Sequence, residues 1–215
     1  MDFKFTNFSI VVLAKANNPS ILNPDFLKIN KIVDSNYKVK DFICTPPVAQ
    51  VSFDEGISII TEFERLQFID NIQKRIPCDS QIPKVAVKYI ETLPHVNYIA
   101  AGINFVGHYQ FEDNTLANSF ITGKFIKEGS WLSQGDGSTY VCLKFIYSFG
   151  KIKCTISIDS AEINKADGEI VPVIVVHANY NLDVKGNNIA EIKKFISDWR
   201  IQHEQFVSFL KKTFF

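Results

Sequence analysis

Four histidines, His95, His108, His177 and His203, are the side chains of this chain best suited to proton transfer or metal ligation near neutral pH. None stands in an HxH, HExxH or HxxxH spacing, so no metal set is predicted from them. His95 follows Pro94 at an expected helix end, where an imidazole commonly meets terminal carbonyls. The more suggestive pattern has period two. His177, Asn179 and Asn181 fall on one face of an apolar run, with Ile174, Val176, Ala178, Tyr180 and Leu182 on the other. Asn104 and His108 share one face of an earlier run. Together Asn104, His108, His177 and Asn179 predict a polar pocket for a small ligand or a peptide. The same spacing equally fits a polar sheet face satisfied by water and neighbours.

Nucleophile signatures are missing. There is no GxSxG elbow, and none of Cys44, Cys78, Cys142 and Cys154 has a histidine in a recognised local motif. The cysteines form no CxxC pair, and Cys142 and Cys154 lie in strand-like stretches where buried free thiols are expected. Gly135-Asp136-Gly137 lacks the lysine and following helix of a phosphate loop and reads as a turn. Glu62, Glu64, Asp159 and Glu162 have no calcium-loop spacing. No cofactor follows from any of this, and the reading leans away from an enzyme.

Charge narrows the partners. Lys and Arg number 23 and Asp and Glu 23, so the net charge is zero and the basic excess of a nucleic-acid binder is missing. Neutrality also removes one guard against self-association, which favours a homo-oligomer or a protein partner. The N-terminus has no signal-like apolar segment, and no stretch approaches the roughly 18 apolar residues of a membrane span. A cytoplasmic, reduced location is expected, without membrane or nucleic acid as partner.

The elements that must position these groups are readable in part. With 46% hydrophobic residues and 19 phenylalanines, the chain has material for one aromatic-rich core. Residues 3–14 predict a strand, and Asn23-Pro24-Asp25 a capped short helix. The stretch up to Asp41 reads as irregular. Residues 48–53 and 57–59 flank the turn Asp54-Glu55-Gly56, and 63–69 predict a further strand. Ile82, Val85, Ala86, Tyr89, Ile90 and Leu93 form one helical stripe that Pro94 ends, with Ser80 as N-cap. Tyr98 to Val106 is a strand whose small Ala100, Ala101 and Gly102 imply close packing, most simply by that helix. Phe120 to Ile126 is a candidate strand, and residues 133–138 a loop.

Residues 141–149 and 152–158 alternate around Gly150 as a hairpin. Ala166-Asp167-Gly168-Glu169 turns the chain into a strand over 171–183. A capping-box-like pair, Asn188 and Glu191, opens a long C-terminal helix with Ile192, Phe195, Ile196, Trp199, Phe206 and Leu210 buried. Strands that precede a helix in each half predict an α+β domain: curved antiparallel sheet packed on one face by the C-terminal helix and by the helix near 81–93. Element order also suggests a pseudo-repeat with halves 1–110 and 111–215 inside one domain spanning 1–215.

The pieces VAQVSFDEG, ERLQF, LPHVNYIAAGINFVG and VIVVHANYNLD resemble a sporadically distributed family of uncharacterised bacterial proteins with the same strand–strand–helix–strand order. The resemblance implies an α+β architecture and a bacterial source, and no activity. The function expected from all of this is a non-catalytic binding or assembly module, a homodimer among the options. The alternative is a ligand-binding protein or enzyme with a pocket between sheet and helix.

Overall fold

The computed structural model describes residues 2–72, 75–127, 129–136, 139–165 and 168–214. Residues 137 and 138 of the expected loop, and 166 and 167 of the expected turn, lie outside these. Among the described residues nine strands form one open antiparallel sheet: β1 (Lys4–Ala14), β2 (Val39–Cys44), β3 (Val48–Phe53), β4 (Ile57–Glu62), β5 (Arg65–Asn71), β6 (Tyr98–Gln110), β7 (Leu143–Phe149), β8 (Ile152–Asn164) and β9 (Ile170–Asp183). Five helices accompany them: α1 (Pro24–Ile29), α2 (Ile82–Thr92), α3 (Asn114–Phe125), α4 (Ile189–Ser197) and α5 (Trp199–Phe214). The fold is α+β with a curved antiparallel sheet and a C-terminal helix, as expected.

Strand order is β2-β3-β4-β5-β1-β6-β9-β8-β7, and it explains the two halves. Each half runs strand, helix, meander, helix. β1 leads to α1, β2 to β5 and α2; β6 leads to α3, β7 to β9 and α4. The leading strands pair with each other at the centre, Ser9 opposite Asn104 and Val11 opposite Gly102, so both halves share one sheet. By element order, β6 opens the second run of strand, helix, meander and helix.

Alternation along each strand sends one set of side chains to a core. Phe8, Ile10, Val12, Val51, Ile59, Phe68, Ile103, Phe105, Ile156, Ala178 and Tyr180 are all essentially inaccessible. All five helices lie on that side. Phe26 of α1 meets Tyr89 of α2, Tyr89 meets Phe68, Phe120 of α3 meets Phe214 of α5, and Phe206 of α5 stacks on Phe105. α4 packs on β6 and α2. Of the small residues of β6 only Ala101, opposite Val12, lies on this side, where α4 packs, while Ala100 and Gly102 fall on the other face; α2 rests mainly on β1 and β5. Gly107 is the close-approach position: a Cβ there would lie 2.5 Å from the Lys4 carbonyl oxygen and 2.5 Å from the Phe3 ring.

Four expectations need correction. Phe120 to Ile126 is not a strand but the end of α3, whose N-cap Asp113 accepts a hydrogen bond from the Leu116 amide at 2.7 Å. The end of the irregular stretch, from Val39, opens β2, an edge strand exposed along its whole length. The long C-terminal helix breaks at Asp198 into α4 and α5. Cys142 is exposed, unlike the buried Cys154. The Asn188–Glu191 capping box forms as expected: Asn188 Oδ1 accepts from the Glu191 amide at 3.2 Å, and its Nδ2 donates to Glu191 Oε2 at 2.9 Å.

Candidate functional site

Strand parity places a second set of side chains on the face turned away from the helices. β1 contributes Ser9, Val11 and Leu13, and β5 contributes Arg65 and Gln67. β6 adds Gly102, Asn104 and Val106, and β9 adds His177, Asn179 and Asn181. These residues line a trough of about 510 Å³ that straddles the junction of the halves. The expected pocket between sheet and helix is therefore not where Asn104, His177 and Asn179 sit. They lie on the sheet's opposite face.

Asn104 is the hub of that trough. Its Oδ1 accepts from Asn179 Nδ2 at 2.7 Å and lies 3.4 Å from His177 Nε2, so the proton of that imidazole belongs on Nε2. Its own Nδ2 reaches the Ser9 carbonyl oxygen at 3.5 Å. Cross-strand register makes this possible, because Asn104 stands opposite Asn179 and Asn179 opposite Thr155. Asn181 donates to Asp183 at 3.0 Å. The side chains of Arg65 and Gln67 make no hydrogen bond among the described residues and face the trough.

His108, the fourth expected site residue, shares the face but not the cluster. It stands opposite Lys4 on one side and Val175 on the other, and its buried Nε2 has no partner among the described residues. Burial, then the Lys4 charge, holds its pKa below the ordinary imidazole value. Burial lowers that of His177 as well, against the raising influence of Asp159.

Among the described residues the uncovered face is polar and carries no aromatic platform. Every Phe and Tyr of the nine strands falls on the helical side, by pairing or by parity: Phe42 opposite Val51, Phe145 opposite Ile156, Tyr147 opposite Cys154. The face offers amides, hydroxyls, imidazoles and aliphatic side chains instead. Arg65, Lys144 and Lys153 are balanced there by Glu62, Asp159 and Asp183.

One pairing was invisible in sequence. Cys78 Sγ lies 3.9 Å from His203 Nδ1, across 125 residues. His203 is caged by the rings of Phe5, Phe105 and Trp199, and burial lowers its pKa. The thiol and the imidazole lie within sulfur hydrogen-bond distance of each other. Among the described residues no three His, Cys, Asp or Glu side chains converge on a metal-sized space.

The three lowered histidines set a pH dependence. In the window between their folded values and the ordinary imidazole value, the unfolded chain holds more protons than the folded one. Stability is therefore fully present above that window and is lost as pH falls through it. Urea midpoints should drop between about pH 7 and about pH 5. They should drop less in His203→Phe, which keeps an aromatic ring in the cage. Equal drops in both proteins would place the acid sensitivity elsewhere.

Neither a scan against protein-family models nor a search of curated proteins finds a match to this chain.

Proposed function

We propose that this protein is a non-catalytic binding module that holds an uncharged polypeptide segment against the uncovered face of its sheet. The observation that carries this reading is the Asn104–Asn179–His177 cluster, fixed by cross-strand register at the floor of an open trough. Side-chain amides both donate and accept, which suits peptide groups. Val11, Leu13 and Val106 beside them suit aliphatic side chains. The lack of aromatic residues on the face disfavours ligands recognised by stacking, such as unpaired bases. Its balanced charges disfavour polyanions. The bacterial resemblance is compatible with this reading and adds no activity to it.

The test is a thermal-shift and calorimetric screen of short uncharged peptides, with neutral oligosaccharides as the comparison set. Binding peptides should raise the unfolding temperature of the wild type. Asn179→Leu, which removes an amide from a half-exposed position, should weaken them by roughly tenfold, the worth of one or two buried hydrogen bonds. Peptides that bind Asn179→Leu as well as the wild type, or a response to oligosaccharides alone, would refute the proposal.

A further inference from the structure

The two halves differ by one strand. In the first, the meander has four strands and β3 is flanked by β2 on its outer side. In the second it has three, and β7, which occupies the place of β3, is the last strand of the sheet. Burial records the difference. The core-facing residues of β3, Ala49, Val51 and Phe53, are 0, 0 and 2% exposed, whereas Tyr147 and Phe149 of β7 are 37 and 40% exposed. Among the described residues nothing pairs with the outer edge of β7. Ile146, on the other face, is 59% exposed. An unpaired edge of this length with bare aromatic side chains is a template for another strand.

We infer that the strand taken up is β7 of a second copy, paired antiparallel about a two-fold axis through Ile146. The strand is complementary to itself in that register. Leu143 meets the partner's Phe149, Phe145 meets the partner's Tyr147, and Lys144 meets the partner's Ser148. Ile146 meets its own copy. All four apolar pairings on the helical side are thus aliphatic–aromatic or aromatic–aromatic, and no lysine faces a lysine. At the other edge, β2 paired in the same way about Asp41 would set two carboxylates opposite each other. A β2-to-β7 contact would be head-to-tail and would not close. The two-fold pairing yields one sheet of eighteen strands and joins the cleft of about 470 Å³ between Tyr147, Phe149 and Phe209 to its counterpart.

Light scattering coupled to size exclusion, at high micromolar concentration, tests this directly. The wild type should have twice the 24.4 kDa chain mass. Ile146→Lys should shift to the single-chain mass, its dissociation constant raised roughly tenfold or more by two lysines in direct opposition. Because Ile146 is largely exposed, circular dichroism should be unchanged, and the unfolding temperature should fall no lower than that of the wild type diluted to its single-chain state. With the exposed Cys44 and Cys142 replaced by serine, Ile146→Cys should form an intermolecular disulfide on oxidation, since directly opposed Cα atoms lie about 4.5–5.5 Å apart. Ser148→Cys should not. A wild type of single-chain mass, a dimer that survives Ile146→Lys, or cross-linking through Ser148→Cys in place of Ile146→Cys would each overturn the inference.

Discussion

Phe105→Ala is expected to cost about 3–5 kcal/mol of folding stability. Phe105 is fully buried at the centre of the sheet. Its ring stacks on Phe8 at 5.0 Å and on Phe206 at 5.9 Å, and it meets Tyr180 at 6.3 Å and His203 at 5.5 Å edge-on. Those four partners come from β1, β9 and α5, so this single ring ties the central strands of both halves to the C-terminal helix. Truncation removes the transfer free energy of a large ring and leaves a cavity that rigid aromatic neighbours fill poorly. Urea denaturation should show a lower midpoint with an unchanged slope. A loss below about 1 kcal/mol would mean that the aromatic cluster repacks freely.

Asp70→Ala should follow at about 3 kcal/mol. Asp70 is a fully buried carboxylate on the core side of β5, opposite Phe8 and Ile57. Oδ1 takes the Arg75 guanidinium at 2.7 Å, and Oδ2 accepts from the Ser80 hydroxyl at 2.6 Å. Arg75 also donates to the Glu55 carbonyl at 3.1 Å, and Ser80 Oγ accepts from the Ile82 amide at 3.3 Å. One carboxylate thereby fastens the end of β5 to the β3–β4 turn and to the start of α2. Its removal leaves a buried hydroxyl and a guanidinium without their acceptor. The Arg75 side chain is 38% exposed and can return its charge to water, which keeps the cost at the low end of the range for broken buried pairs. Arg75→Ala instead leaves the buried carboxylate without its counter-charge and should cost at least as much as Asp70→Ala. A clearly smaller loss in Arg75→Ala would show that the Ser80 hydroxyl alone suffices to hold the carboxylate.

Elements whose burial is one-sided were legible in the sequence. The stripe from Ile82 to Leu93 and the alternation of β8 and β9 repeat at the period of the structure they adopt. α3 hid because only Ala117 and Ile121 are buried along its length, leaving no stripe to detect. Its one clear signal was the Asp113 cap. β2 hid because an edge strand exposed on both faces has no reason to alternate. The break at Asp198 hid because Trp199, Phe206 and Leu210 keep the apolar spacing across it. At the site, parity alone put His177, Asn179 and Asn181 on one face. It could not say which face the helices cover, since that follows from strand order, and strand order is a property of pairings a hundred residues apart. The Asn104–Asn179 bond and the Cys78–His203 contact are long-range in the same sense. The Asp70 network was missed because Ser80 reads locally as the N-cap of α2; in the fold the N-cap is Gln81, and the Ser80 hydroxyl donates to the carboxylate while accepting from the Ile82 amide.

The central claim is that ligands meet the uncovered sheet face. Proton–nitrogen correlation spectra of the side-chain amides test it most directly, recorded while the uncharged peptides are titrated in. The account predicts that the resonances of Gln67, Asn104, Asn179 and Asn181 move together, while Gln202 and Asn188 on the helical side stay fixed. Shifts confined to the helical side, or spectra unchanged by every peptide, would contradict it.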